Sequence, residues 1–416
     1  YAHLKPLTEQ SVVKLWYAVK ANPLSKVIQT LDKAGFDFPE DSDFVQQDPA
    51  LSGGLEAEQY FNSQGIVYER FFSSGLSMKT GVSQLEESFE FSIGQGNFID
   101  AKSNRYGVRS QFIYPMSLSH ELQFGAEYSE QNINYKGRFS APPCDEFSSD
   151  CRLVTATEEL TGSGNFAIRE FNANLADQWD VLPGWQVTPG VLASYNEFTE
   201  NSYLEPRLNS RVRVAQPLTW TLGFGEYHAL SGNPGQYTPE FGNPDINETR
   251  STHYETGLEY QIRDGLNLTS ELYYKDITDI VVSRAPQNNY PGLTTEEYNA
   301  LPRYTNDGSG QSWGVETLLN ADYSDHWYGW VSLTLSRTER SNDITGENFR
   351  YSYDKPIVIN AVGNYRWNDR WTFGLKWRYE SGQLVTPLDG VEEDDDTPGL
   401  FNPIYGDPFS ERLPAY

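Results

Sequence analysis

Few side chains in this chain stand where chemistry would need them. The densest charge is the run Glu392, Glu393, Asp394, Asp395, Asp396, next to Pro398-Gly399. Hard cations take oxygen ligands, so the run is a weak candidate for Ca²⁺ or for a cationic ligand. It lacks the glycine and distal glutamate spacing of a helix–loop–helix calcium loop, and a solvated loop is the simpler reading. The five histidines stand at 3, 120, 228, 253 and 326. None is spaced as a metal pair, which argues against a metal enzyme. Cys144 and Cys151 lie close together in a polar stretch, Pro-Pro-Cys-Asp-Glu-Phe-Ser-Ser-Asp-Cys. They read as a small disulfide-closed loop in an oxidising compartment. No cofactor is called for by any of these groups.

The elements that must carry these residues alternate. Trp371, Phe373, Leu375, Trp377 and Tyr379 are interleaved with Thr372, Gly374, Lys376, Arg378 and Glu380. Successive side chains of a strand point to opposite faces, so one face here is apolar and ringed and the other is charged. The same beat recurs at 106–114, 122–128, 171–179, 185–195, 218–224, 254–262, 266–274, 315–323, 331–335 and 357–365. Short turns join pairs of them, at Met116–Ser119, Leu182-Pro183-Gly184, Asp264-Gly265, Ser324-Asp325-His326 and Asn368-Asp369. Long polar connections are read at 276–312 and 337–354. Short turns at one end and long loops at the other, with roughly 12 to 16 such strands, predict an antiparallel transmembrane β-barrel with lipid outside and a polar lumen.

Composition bounds that reading. The chain has 416 residues and a formal net charge of −27, with 27 Tyr and 10 Trp. The acidic balance makes nucleic acid a poor partner. No run of about 18 apolar residues occurs, which excludes a transmembrane helix but not a barrel. Tyr and Trp suit the two membrane–water girdles, so outer-membrane lipid is the expected partner. Lys376, Arg378 and Glu380 are expected to line the lumen. Tyr290, Tyr298 and Tyr304 fall in a long loop where they could stack on a small-molecule cargo.

Residues 1–38 read differently. Val12–Val19 is a buried strand, Asn22-Pro23 a helix start, and Gly35 a helix stop, which makes a βα segment. Residues 39–58 read as a linker, and 59–416 as the barrel. The chain opens at Tyr1 without an initiator Met and is read as a fragment whose export signal is missing.

The second half resembles a known family. Tyr237-Thr-Pro-Glu-Phe-Gly-Asn-Pro-Asp245, His253-Tyr-Glu-Thr-Gly-Leu-Glu259, Glu271-Leu-Tyr-Tyr-Lys275, Gly314-Val-Glu316 and Trp371 to Gly382 follow in the order seen in TonB-dependent outer-membrane receptors. The resemblance implies a plug inside a barrel of about 22 strands. It also implies uptake of a siderophore, vitamin, sugar or similar solute, with energy from a TonB complex that contacts the plug. Neither the plug nor the last strands are read here: the chain stops at Ser410-Glu-Arg-Leu-Pro-Ala-Tyr416. The expectation is an incomplete barrel in the outer membrane of a Gram-negative bacterium, and not an enzyme. The first region resembles something else. Trp16-Tyr-Ala-Val-Lys-Ala-Asn-Pro23 looks like the opening of fold-III PLP-dependent decarboxylases and alanine racemases. That resemblance implies a Schiff-base role for Lys20, with PLP as electron sink. A soluble carbohydrate-binding β protein is the third alternative.

Overall fold

The computed structural model describes residues 10–21, 55–94, 96–139, 160–285, 289–321, 326–393 and 401–415. Its main element is one sheet of sixteen strands. The first six are β1 (Gln10–Ala21), β2 (Leu55–Phe71), β3 (Ser77–Ile93), β4 (Asn97–Pro115), β5 (His120–Phe139) and β6 (Leu160–Leu182). Then come β7 (Trp185–Asn196), β8 (Asn201–Ala215), β9 (Leu218–Ala229), β10 (Thr249–Arg263) and β11 (Leu266–Ser283). The series continues with β12 (Tyr304–Ala321), β13 (Trp327–Asn342), the short β14 (Glu347–Arg350), β15 (Ile357–Asn368) and β16 (Trp371–Glu380). Each strand pairs with its neighbour in sequence, except that β13 takes both β14 and β15. The pairings are antiparallel throughout, from β1 against β2 to β15 against β16. This is the up-and-down wall of a barrel. Among the described residues β1 and β16 are its two edges, so the wall is open along one side. Beyond it lie two small ladders, β17 (Leu384–Val385) with β20 (Glu411–Arg412) and β18 (Leu388–Glu393) with β19 (Phe401–Tyr405).

The alternation sorts as its physics requires. On β10, Tyr254, Leu258, Tyr260 and Ile262 are 50, 48, 41 and 45% exposed. They share a face with Phe224 and Tyr274, which lie directly opposite Tyr254 on either side. A second row, Val108–Tyr128–Phe171–Tyr195, runs across β4 to β7. Near the short turns the same face carries Trp179, Trp185, Trp220, Trp327 and Trp371, all exposed. From Phe171 to Trp179 is eight residues, about 26 Å of strand, which at the tilt of a barrel strand rises about 20 Å and covers most of an apolar band about 25 Å tall. Large apolar side chains stay bare because hydrocarbon, not protein, is their partner.

Among the described residues, conventional burial is confined to the loop end. Tyr237, Ile246, Val281 and Tyr304 form one cluster, with Phe166, Phe198 and Leu230 packed on it. Ile280 and Val282 form a second with Ile277 and Phe349.

The structure differs from the sequence expectation in strand length. β6 has 23 residues and β5 has 20, where stretches of about ten were expected. The loops expected at 276–312 and 337–354 shrink accordingly. β11 continues to Ser283, β12 begins at Tyr304, β13 continues to Asn342, and β14 forms a hairpin with it. Beyond the lipid both faces of a strand meet water or polar protein, so the apolar beat stops while the hydrogen-bond ladder goes on. The same reason hides the upper part of β3. The strand expected at 12–19 is β1, but it pairs antiparallel with β2, which itself starts inside the stretch read as a linker. The helix expected from Asn22 to Gly35 lies outside the described residues.

Candidate functional site

The loop-end mouth of the barrel holds the groups that could recognise a ligand. It is organised by the connection between β9 and β10, residues 230–248, hereafter the strap. Its local sequence dictates its shape. Pro234 begins a single 3-10 turn, Pro234–Tyr237, and the Asn233 side chain caps it by accepting from the Gly235 N–H. Gly242 packs so closely that a Cβ would stand 2.2 Å from the Gln236 carbonyl oxygen, which only glycine permits. Asn243 closes an Asx turn by accepting from the Asp245 N–H at 2.9 Å. The family-like stretch 237–245 is thus the backbone geometry of a fold-back loop.

The strap crosses the mouth and rests on the inner face of β5 and β6. The Tyr135 hydroxyl donates to Glu240 at 2.7 Å, and the Tyr135 ring meets Phe241 edge-on at 6.3 Å. Gly137 and Gly162 leave room for this contact. A Cβ on Gly162 would lie 2.7 Å from Glu240, and one on Gly137 would lie 3.4 Å from the Phe241 ring. Tyr237 is 2% exposed and its hydroxyl donates to the Ser231 carbonyl at 2.6 Å. Burial pushes its phenol above the ordinary tyrosine range. The far end is pinned by Glu248, which accepts from Thr199, Asn201 and Tyr203 at 2.6, 3.0 and 3.0 Å. Asn306 donates to the carbonyls of Asn247 and Asp279, tying the strap to the next loop.

Beneath the strap a cavity of about 450 Å³ opens between it and the wall, lined by Arg105, Glu170, Glu205, Arg207, Tyr227 and His228. The ladder between β8 and β9 stops at the pair Arg207 and Gly225. Glu205, 2% exposed, takes over there. Its carboxylate accepts the His228 N–H at 2.8 Å, stands 3.3 Å from His228 Nδ1, and pairs with Arg207 at 3.1 Å. The His228 ring stacks on Tyr203 at 3.8 Å. The Arg207 guanidinium lies over the Tyr227 ring at 4.7 Å, and its Nε is buried with no partner. The arrangement suits recognition of a polar solute. It offers no nucleophile activated by a base, and among the described residues no group of three metal-ligating side chains occurs.

The residues singled out from sequence fall elsewhere. Tyr290 and Tyr298 do come together, rings 5.8 Å apart, over the short helix α1 (Thr295–Asn299). Arg284 sits over Tyr298 at 4.1 Å, and the Tyr298 hydroxyl donates to Ala285. Burial raises the Tyr290 phenol. Tyr304 is 3% exposed and packs inside the cluster below. Lys20 stands on β1 opposite Phe61. Glu392 and Glu393 end β18, and Asp394–Asp396, Cys144 and Cys151 lie outside the described residues. Glu380 is 1% exposed and is paired with Lys355 at 2.7 Å and with Arg378. Sequence reasoning missed Glu205, Arg207, His228 and Glu248. One signal was present: Glu205, Arg207, Asn209, Arg211 and Arg213 alternate on β8. It is a period-two beat written in charge.

An antiparallel wall with an apolar girdled outside, a polar inside and a loop-roofed mouth is an outer-membrane β-barrel. Comparison with known proteins narrows the class. Residues 22–416 match the model of the TonB dependent receptor-like β-barrel family, and the chain belongs to that family. It is a Gram-negative outer-membrane protein of a family of receptors rather than enzymes. It is similar to the iron-regulated outer membrane virulence protein of Vibrio cholerae, 19% identical over 333 residues, which is 76% of this chain and 46% of that protein. Among solved structures it resembles the ferric enterobactin receptor PfeA of Pseudomonas aeruginosa, with a TM-score of 0.63 and 16% identity over 83% of this chain and 52% of that one. It also resembles the outer membrane transporter YddB of Escherichia coli, with a TM-score of 0.60 and 12% identity over 86% and 56%. The chain spans about half the length of the relatives it matches. The resemblance to PLP enzymes finds no support. β1 joins an antiparallel sheet, whereas those enzymes need parallel strands alternating with helices.

Proposed function

We propose that this chain forms the wall and mouth of an energised outer-membrane transporter that takes up a ferric siderophore. The observation that carries the reading is the polar, ring-flanked cavity of about 450 Å³ under the strap, placed at the loop end of a lipid-facing barrel. Its size suits a small-molecule site, and its aromatic rings and hydrogen-bonding groups of both charges suit a polar ring-bearing chelate. Receptors for iron chelates among the structural neighbours support siderophores over vitamins or sugars as cargo. Energy would come through a plug and a TonB complex, as in the family at large. The test is uptake of ⁵⁵Fe carried by defined siderophores in an iron-starved deletion strain, with and without the full-length gene. Uptake restored only when TonB is intact supports the reading. Equal uptake with and without the gene for every chelate offered refutes it, and a growth defect on a vitamin or sugar would reassign the cargo.

A further inference from the structure

The cavity under the strap is lined by two guanidiniums, Arg105 and Arg207, and by three carboxylates, Glu170, Glu205 and Glu248. Their pairing decides what charge a solute meets there. Arg207 is engaged by Glu205 at 3.1 Å. Arg105 stands 3.8 Å from Glu170, and Ser129 links the two, accepting from Arg105 at 3.4 Å and donating to Glu170 at 3.4 Å. Among the described residues Glu248 is held by neutral donors alone, the Thr199 and Tyr203 hydroxyls and the Asn201 amide. Three carboxylates therefore meet two cations. A protonated His228, with Nδ1 3.3 Å from Glu205, would only bring the count to zero.

Burial gives this count its force. Glu205 and Glu248 are 2 and 6% exposed, so water and salt screen them weakly. An anion entering the cavity finds no uncommitted cation among the described lining residues. To gain one it must draw Arg105 from Glu170 or Arg207 from Glu205. Either move leaves a carboxylate unpaired beside the anion, and juxtaposed like charges are a strong means of rejecting a wrong partner. Asn172 and Ser194, register partners across β6 and β7, also line the cavity. Their side chains have no partner among the described residues, and both are neutral. Ferric chelates divide along the same line. Three hydroxamates carry one negative charge each and balance Fe³⁺, so their complex is neutral and presents amide carbonyls. Three catecholates carry two each, so their complex is a trianion.

We infer that Glu170, Glu205 and Glu248 are specificity determinants that exclude anionic chelates, and that the cargo is a neutral or cationic ferric hydroxamate. The inference rests on the siderophore reading above and narrows it. The test uses the full-length receptor purified in detergent and follows quenching of its tryptophan emission by three chelates. Ferrichrome is a neutral hydroxamate, ferrioxamine B a cationic one, and ferric enterobactin a trianionic catecholate. The native receptor should bind both hydroxamates at least tenfold more tightly than the catecholate. Glu170→Gln leaves Arg105 without its carboxylate and should bring the two classes at least threefold closer. Arg105→Gln should drive them further apart. Heat-modifiable migration checks that each variant is folded, and if Glu170→Gln is not, Arg105→Gln carries the test alone. Equal or tighter binding of the catecholate by the native receptor overturns the inference and leaves the siderophore reading standing. A preference that neither variant moves also overturns it, because charge would then not set the preference. If none of the three chelates binds, the siderophore reading falls and takes this inference with it.

Discussion

The barrel wall has a tall side and a short side. β4, β5 and β6 run to 19, 20 and 23 residues, while β7 and β9 have 12 each. Both sides carry the same apolar band, because both cross the same hydrocarbon. Above it they part. The tall side continues as ladder and shows amides outward. The short side ends within a residue or two of Tyr195 and gives way to loops. The strap springs from the short side and leans on the inner face of the tall one, at Tyr135 and Gly162. The mouth is therefore roofed from one side by a loop that the other side receives. The difference teaches that lipid sets the outward chemistry of the band, while hydrogen bonding alone sets how far a strand extends.

The largest effect should come from one strand tested at two heights. Leu175, 49% exposed and midway between Phe171 and Trp179, faces hydrocarbon. Leu175→Arg is expected to cost about 2–4 kcal/mol. Asn165→Arg lies on the same face, ten residues higher, and is expected to stay within about 0.5 kcal/mol. Folding of the full-length receptor into lipid vesicles, followed against urea, reads both. Equal costs would erase the distinction between band and tall wall.

The strap contact comes next. Gly162→Val places a side chain where Glu240 lies, and overpacking there should cost about 1–3 kcal/mol and lift the strap. Spin labels on the strap and on β6 should move apart. At the other anchor, Glu248→Ala strands three donors and should cost about 1–3 kcal/mol. Distances left unchanged in Gly162→Val would contradict the fold-back description.

How far the sequence goes is clear from particular strands. β10 and β16 are legible because alternate Tyr, Leu and Trp report lipid at every second residue. β8 was not, because its outward row includes Pro206 and Ser210 and its signal is in the charges. The upper halves of β5 and β6 were not legible either: Asn132, Asn134 and Asn165 look like loop. The site follows the same division. Tyr290 and Tyr298 could be placed in a common loop from their spacing. The cavity could not, because it joins Arg105 on β4 to His228 on β9, and only barrel curvature and the strap bring those strands to one space.

The smallest effect concerns α1. Backbone and hydroxyl bonds from Thr294 hold the Glu297 carboxyl below its ordinary 4.5. A carboxyl depressed in the folded state lends its cap above the unfolded value and loses it as the pH falls through the folded one. Amide protection across residues 294–300 should therefore drop only below about pH 4.5; Thr294→Ala, which keeps the backbone N–H bond, should weaken that dependence, and Glu297→Gln should abolish it.

The central claim, that hydrocarbon is the partner of every second residue in the band, is tested most directly on β10. Single cysteines from Tyr254 to Tyr260 in the full-length receptor would each carry a nitroxide label in lipid vesicles. Collision with oxygen dissolved in the lipid should peak at 254, 256, 258 and 260, and collision with a water-soluble nickel chelate at 255, 257 and 259. The opposite phase, or no alternation, would contradict the account.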